Sequence, residues 1–138
     1  MIGLDTNVLA RYLIEDAADT EAQRQREAAR RLIESGESLF VPRTVVLELE
    51  WVMRGYYSFT VDQCARAMQS LLAMRQLQFE DRPMVELAVD RYATGMDFAD
   101  ALHHAACRAC TSMATFDDRR FARRVRALKL APGVGVPK

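Results

Sequence analysis

An α/β fold with a central parallel β-sheet and helices on both faces is the class this sequence predicts, on three observations. Short apolar runs, each closed by an acid, a proline or a glycine, alternate with longer stretches whose apolar positions recur at helical spacing. Two helical stretches separate most successive runs, giving the order β-α-α-β-α-α-β-α-α-β-α. Connections that long suit parallel crossovers rather than hairpins. Finally, aspartates follow the first and fourth runs directly, at the strand carboxyl ends where open α/β sheets place their ligands.

The first run, Ile2 to Leu4, predicts a buried strand that stops at Asp5. Val8, Leu9, Tyr12 and Leu13 then predict a helix from Thr6 to about Ile14, capped by Asp5 or Thr6. Thr20 and Gln23 have capping-box spacing at the head of a second helix to about Glu34, ended by Ser35-Gly36. Leu39 to Val41 is a second strand closed by Pro42. The segment from Thr44 to Met53 is apolar on nearly every side, which predicts a buried helix with Glu48 inside its buried surface and Glu50 in solvent; Gly55 ends it.

After an aromatic loop of Tyr56, Tyr57 and Phe59, Thr60 and Gln63 repeat the capping-box signal for a fourth helix to about Met74. Leu77 and Phe79 mark a third strand, and Pro83 opens a fifth helix to about Ala93, stopped at Gly95. Met96 to Cys110 reads as an alanine-rich helix, with Asp97 and Asp100 sharing a face near its start. Ser112 to Phe116 is a fourth strand, Asp117-Asp118 caps a last helix to about Leu128, and Val134 to Val136 adds an edge strand.

Composition narrows the function. At 138 residues the chain fits a single domain, 1–138, that buries roughly two-thirds of its unfolded surface. No apolar run is long enough to span a bilayer, and Asp5 interrupts the one candidate for a signal-peptide core, so a soluble cytoplasmic protein with no membrane association is expected. Nineteen basic and nineteen acidic side chains cancel, which removes a global positive field as an argument for nucleic-acid binding. All the basic residues except Lys129 and Lys138 are arginine, whose planar fork suits phosphate, although base composition of the coding sequence explains that bias equally well. Three cysteines form an odd count that does not suggest a disulfide framework.

The acids carry the chemistry. If the fold gathers Asp5, Glu48, Asp97, Asp100 and Asp117, their repulsion is severe: two carboxylates about 4 Å apart cost roughly 4 kcal/mol at an effective dielectric near 20. Protonation, a paired arginine or a bound cation must offset it. An oxygen-only donor set suits Mg²⁺ or Mn²⁺, and a pair of such ions supports water attack on a phosphodiester.

Four segments, Leu4-Asp-Thr-Asn-Val-Leu9, Val41-Pro-Arg-Thr-Val-Val-Leu-Glu-Leu49, Asp97-Phe-Ala-Asp-Ala-Leu-His103 and Ala114-Thr-Phe-Asp-Asp-Arg-Arg-Phe121, resemble in order and spacing the acidic motifs of the PIN-domain ribonucleases. The similarity covers essentially the whole chain and is greatest to the VapC-type toxins of type II toxin-antitoxin systems. It implies a PIN-like three-layer fold and a Mg²⁺- or Mn²⁺-dependent endoribonuclease that hydrolyses RNA with a metal-activated water. It further implies a homodimer, silenced by a cognate VapB-like antitoxin. Carried over by position, Asp5 is the central ligand, with Asp100 and Glu48 completing the first metal site. Asp117 holds the second metal or the attacking water. Asp97 is a ligand or supports one, and Thr6 and Thr115 orient carboxylates or waters.

Competing readings attach to the same residues. Asp5 and Asp117 also suit helix caps, Asp97 and Asp100 suit a helix dipole, and Asp118 suits solvent. His103 and His104 either approach the site or serve the structure. Cys107-Arg-Ala-Cys110 lacks the second pair a zinc site needs and reads as buried thiols in a helix. Arg119, Arg120, Arg123, Arg124 and Arg126 form a phosphate-facing stripe or solvate the last helix. Trp51, Tyr56, Tyr57 and Phe59 contact a partner or pack in the core. A phosphoryl-transfer domain of haloacid-dehalogenase or receiver type also puts an aspartate at a strand end, but Asn7 stands where the phosphatase needs a second aspartate and no lysine lies near the motifs. A PIN domain that only binds RNA or a partner is the non-catalytic alternative.

Overall fold

The computed structural model describes all residues, Met1–Lys138. The α/β class is as expected: every strand pairing is parallel, and helices connect the strands. The chain divides into two compact units, Met1–Arg82 and Pro83–Lys138. No helix is long and apolar enough to cross a membrane.

In the first unit, β1 (Ile2–Gly3), β2 (Leu39–Val41) and β3 (Leu77–Phe79) form a sheet in the order β1-β2-β3. Ile2 stands opposite Leu39, and Leu39 opposite Leu77. Helices α1 (Thr6–Leu13) and α2 (Thr20–Ile33) join β1 to β2, and α3 (Arg43–Gly55) and α4 (Val61–Leu72) join β2 to β3. Leu9, Ile33, Leu39, Val41, Leu49, Met53 and Leu71 fill the core. Each contributes about 1.5–3 kcal/mol of burial, and this apolar face, more than propensity, holds short helices such as α1.

Caps fix where the helices begin. The Asp5 side chain accepts from the Thr6 amide at 2.7 Å and so starts α1 close after β1 ends, with only Leu4 and Asp5 between them. Thr60 and Gln63 make the reciprocal capping box the sequence predicts. At α2 the cap is Asp19 rather than Thr20: Asp19 has extended backbone, and its Oδ1 accepts from the orphan amides of both Glu21 and Ala22, which leaves Thr20 as the first helical residue.

Two further expectations in this unit are corrected. Ile2 is exposed, at the first residue of a two-residue strand, and Leu4 is the buried residue of the run. Helix α3 is not buried on every side: Val45, Val46, Leu49 and Met53 face the core, while Leu47, Glu48 and Trp51 are exposed. The buried acid is Glu50, 7 % exposed, not Glu48. Glu50 tolerates burial because Arg54, one turn on, ion-pairs with it at 3.4 Å.

The second unit comprises α5 (Arg82–Ala93, of which Pro83 onward belongs here), α6 (Phe98–Ala106), β4 (Ser112–Ala114), a π-helical turn (Asp118–Ala122), α7 (Arg123–Ala127) and β5 (Gly133–Gly135). β4 and β5 pair in parallel, with Met113 opposite Val134. Its core gathers Val85, Ala88, Tyr92, Phe98, Ala101, Ala105, Phe121 and Val125, with Tyr92 and Phe98 edge to face at 5.0 Å.

Helix α6 is shorter than predicted at both ends. Asp97 is its cap rather than a residue of its first turn, and it stops at Ala106, so Cys107 and Cys110 lie in the turn beyond, the first half-buried and the second exposed. They are not buried helix thiols. The last helical segment opens with an i to i+5 turn in which the Ala122 amide donates to the Asp117 carbonyl. The final strand is one residue earlier than the predicted Val134 to Val136.

Candidate active site

The predicted site residues fall into two groups, one in each unit. In the first, Asp5, Thr6 and Glu48 line one cavity of about 330 Å³ together with Asn7, Arg11 and Trp51. Asp5 commits one carboxylate oxygen to the Thr6 amide and is otherwise exposed. Thr6 is only 4 % exposed, and its hydroxyl donates to Glu48 Oε1 across a sequence separation of 42 residues. That bond ties the start of α1 to the exposed face of α3 and fixes which way the Glu48 carboxylate points. Thr6 thus orients a carboxylate, one of the two roles its resemblance implies.

The sequence did not place Asn7 or Arg11 in this cavity, and it named Trp51 only as a partner contact or core residue. Asn7 and Arg11, four residues apart, share a face of α1, and Trp51 lies one turn after Glu48. Arg11 is anchored by Gln25 through Nε at 2.8 Å and by the Tyr57 hydroxyl at 2.9 Å. Trp51, 74 % exposed, and Tyr56 are surface residues, so core packing does not explain them; Tyr57 and Phe59 are half-buried.

In the second unit, Asp97, Asp100 and Asp117 act on one another. Asp97 accepts from the Asp100 amide at 3.1 Å, which caps α6 and places Asp100 in its first turn. Asp117 accepts from the Arg120 amide at 2.9 Å, while its own amide donates to the Thr115 hydroxyl at 3.0 Å. Thr115 therefore positions the Asp117 backbone. Partial burial, and then the negative charges of Asp97 and Asp117, hold the Asp100 carboxyl above the usual carboxylate range; His103 pulls it the other way. None of Asp5, Glu48, Asp97, Asp100 and Asp117 is in a salt bridge, whereas Asp118 pairs with Arg126 at 3.2 Å as a solvated surface acid does.

These observations bear on a metal. Within neither unit do three or more His, Cys, Asp or Glu side chains converge as a metal-binding group. The donor chemistry nevertheless fits a hard divalent cation: the acids are carboxylates free of arginine partners, their second oxygens are uncommitted, and Asp100 carries a repulsion that a cation relieves.

The histidines and cysteines separate from this chemistry. His104 is fully buried, with Nε2 on the Pro132 carbonyl at 2.8 Å and Nδ1 on the Arg91 guanidinium, so it is a structural cross-link. His103 is exposed. Burial and then the hydrogen-bonded Cys110 raise the Cys107 thiol, the opposite of the lowered value a reactive thiolate needs.

Acids that follow strand carboxyl ends in an α/β fold, paired with no cation, define a class of domains that bind ligands at that edge of the sheet. Within that class the model of the PIN domain matches residues 2–127, and the chain belongs to the PIN-domain family. PIN domains are generally nucleases and typically bind divalent metal. No curated protein matches the chain.

Proposed function

We propose that this chain is a Mg²⁺- or Mn²⁺-dependent endoribonuclease, the VapC-type toxin of a toxin-antitoxin pair, and that residues 1–138 work as one PIN domain. The observation that carries the nuclease reading is the set of acids at all four motif positions, free of ion pairs, in a chain with as many basic as acidic side chains. Had these acids served only stability, arginine partners would be their simplest neutralisation.

Asp5, Glu48 and Asp100 are the proposed metal ligands, with Asp97 and Asp117 contributing a second site or its water. When bound, the divalent cation supplies positive charge that offsets carboxylate repulsion and lowers the pKa of water. The chain's own part is orientation. Thr6 holds Glu48 in one rotamer, and Thr115 and the Arg120 amide hold Asp117 so that Oδ2 is left to bind the attacking water and draw on its proton. Asp97 limits the motion of the α6 start that carries Asp100.

The proposed setting is cytoplasmic, with a homodimer inhibited by a VapB-like antitoxin. The test of activity is incubation of total RNA with the purified protein. Cleavage with Mg²⁺ or Mn²⁺ that stops in excess chelator is expected, and full activity in chelator refutes the reading. The test of the toxin role is induction in cells: growth arrest that co-expression of a small adjacent reading frame relieves supports it, and growth unaffected by induction opposes it.

A further inference from the structure

Of the five arginines in the last helical segment, four line a single cavity of about 550 Å³, a size in the range of ligand sites. Arg119, Arg120, Arg123 and Arg124 form one side; Asp97 and Asp100 belong to the same lining. The intervening Phe121, Ala122 and Val125 are buried, so core packing fixes which way the arginine face points. The segment opens with a widened turn closed by the Ala122 amide on the Asp117 carbonyl, and the pairs Arg119/Arg123 and Arg120/Arg124, each four residues apart, line the same cavity.

A face that merely solvates a helix carries acids among its bases and pairs with them. This one does not. Arg126 pairs with Asp118, but none of the four cavity arginines is in a salt bridge. Four guanidinium groups against two carboxylates leave the cavity lining net positive, in a chain whose formal charge is zero. Gly95 makes part of this possible: at φ +108° it adopts a backbone conformation that side chains rarely take, and the position a Cβ would occupy lies 3.5 Å from Arg124 Nη1. The guanidinium therefore lies over bare backbone. No aromatic ring lines the cavity, so it offers planar forks for phosphate and nothing on which bases stack.

We propose that Arg119, Arg120, Arg123 and Arg124 are a backbone-phosphate subsite that holds single-stranded RNA next to Asp97 and Asp100 without reading its sequence. The inference rests on the reading of the chain as an RNA-cleaving enzyme and supplies the part that net charge left unspecified. These arginines bind substrate and take no part in the chemical step.

The test is binding in excess chelator, where no cleavage is expected, read by fluorescence anisotropy of labelled single-stranded 12-mers of unrelated sequence across a salt series. Removing one phosphate-binding charge lowers the slope of log K against log salt by about 0.7 for a single strand. The Arg123→Gln/Arg124→Gln double variant should lower it by roughly twice that, about 1.4, equally for every sequence. Arg126→Gln, removing the arginine already paired with Asp118, should leave the slope unchanged.

An unchanged slope in a double variant that melts like the parent overturns the subsite, as does absence of RNA binding by the parent. A weakening confined to one RNA sequence does the same. Tighter arginine-dependent binding of a polyglutamate peptide than of RNA would assign the face to an acidic protein instead. Failure of the two readings is distinguishable: cleavage with an unaltered slope removes the subsite alone, and a lowered slope without metal-dependent cleavage removes the nuclease alone.

Discussion

Thr6→Val removes one hydroxyl and little else. Valine matches threonine in shape, the side chain is 4 % exposed, and the Thr6 amide that Asp5 caps is untouched. What disappears is the bond from Thr6 Oγ1 to Glu48 Oε1. A hydrogen bond to a charged group contributes about 1.5–3 kcal/mol, but Glu48 is exposed and water replaces the missing donor, so the expected cost is about 1 kcal/mol. For 138 residues that is a fall in melting temperature of about 3–5 °C, measured in chelator. The functional cost is larger, since removing a group that orients a metal ligand typically costs about 10–100-fold in metal affinity or activity. The assay is a Mn²⁺ titration followed by calorimetry, beside the RNA-cleavage rate at each metal concentration. Thr6→Ser keeps the hydroxyl and should restore both. A Thr6→Val protein that melts like the parent and needs no more metal refutes the role of Thr6 in orienting Glu48.

Two other perturbations discriminate among the acids and histidines. Asp100 has its folded-state pKa raised, so the unfolded chain ionises first, and ionisation works against folding. That penalty is absent in acid below the ordinary carboxylate value of about 4 and complete once pH exceeds the folded value. Asp100→Asn should therefore raise the melting temperature of metal-free protein at neutral pH and not in acid, while added Mg²⁺ stabilises the parent more than the variant; thermal melts across pH check this, and a uniform loss of stability at every pH contradicts it. His104→Leu leaves the buried Pro132 carbonyl and the Arg91 guanidinium without their partner, which should cost about 2–4 kcal/mol in denaturant unfolding with cleavage per folded molecule unchanged.

Much of the first unit is legible in the chain because its signals are local. Leu39 to Val41 ends at a proline, Thr60 and Gln63 satisfy each other, and Gly36 sits at positive φ just past the end of α2, as Gly95 does past α5 in the second unit. Where two adjacent residues both serve, as Asp19 and Thr20 do, composition alone does not choose. The exchange of Glu48 and Glu50 has a similar origin. In a helix this apolar, the wheel does not say which side meets the core until the neighbours are known, although Arg54 four residues after Glu50 was the available clue. The end of α6 was missed because neither glycine nor proline marks it. A π-helical turn has no sequence signature, so the arginine run after it stayed ambiguous between phosphate binding and solvation. The acids were singled out by type and order. Their hydrogen bonds to Thr6, the Asp100 amide and the Arg120 amide depend on tertiary placement and could not be.

The central claim is that Asp5 serves chemistry and not only the start of α1, and one substitution separates the two. Asn keeps the Oδ1 acceptor for the Thr6 amide, so Asp5→Asn preserves the cap while removing the charge. The measurement is the rate of RNA cleavage by Asp5→Asn at saturating Mg²⁺, beside its melting curve. Loss of cleavage, with stability within about 0.5 kcal/mol of the parent, is the expected result. Cleavage at the parental rate would contradict it and leave Asp5 as a cap alone.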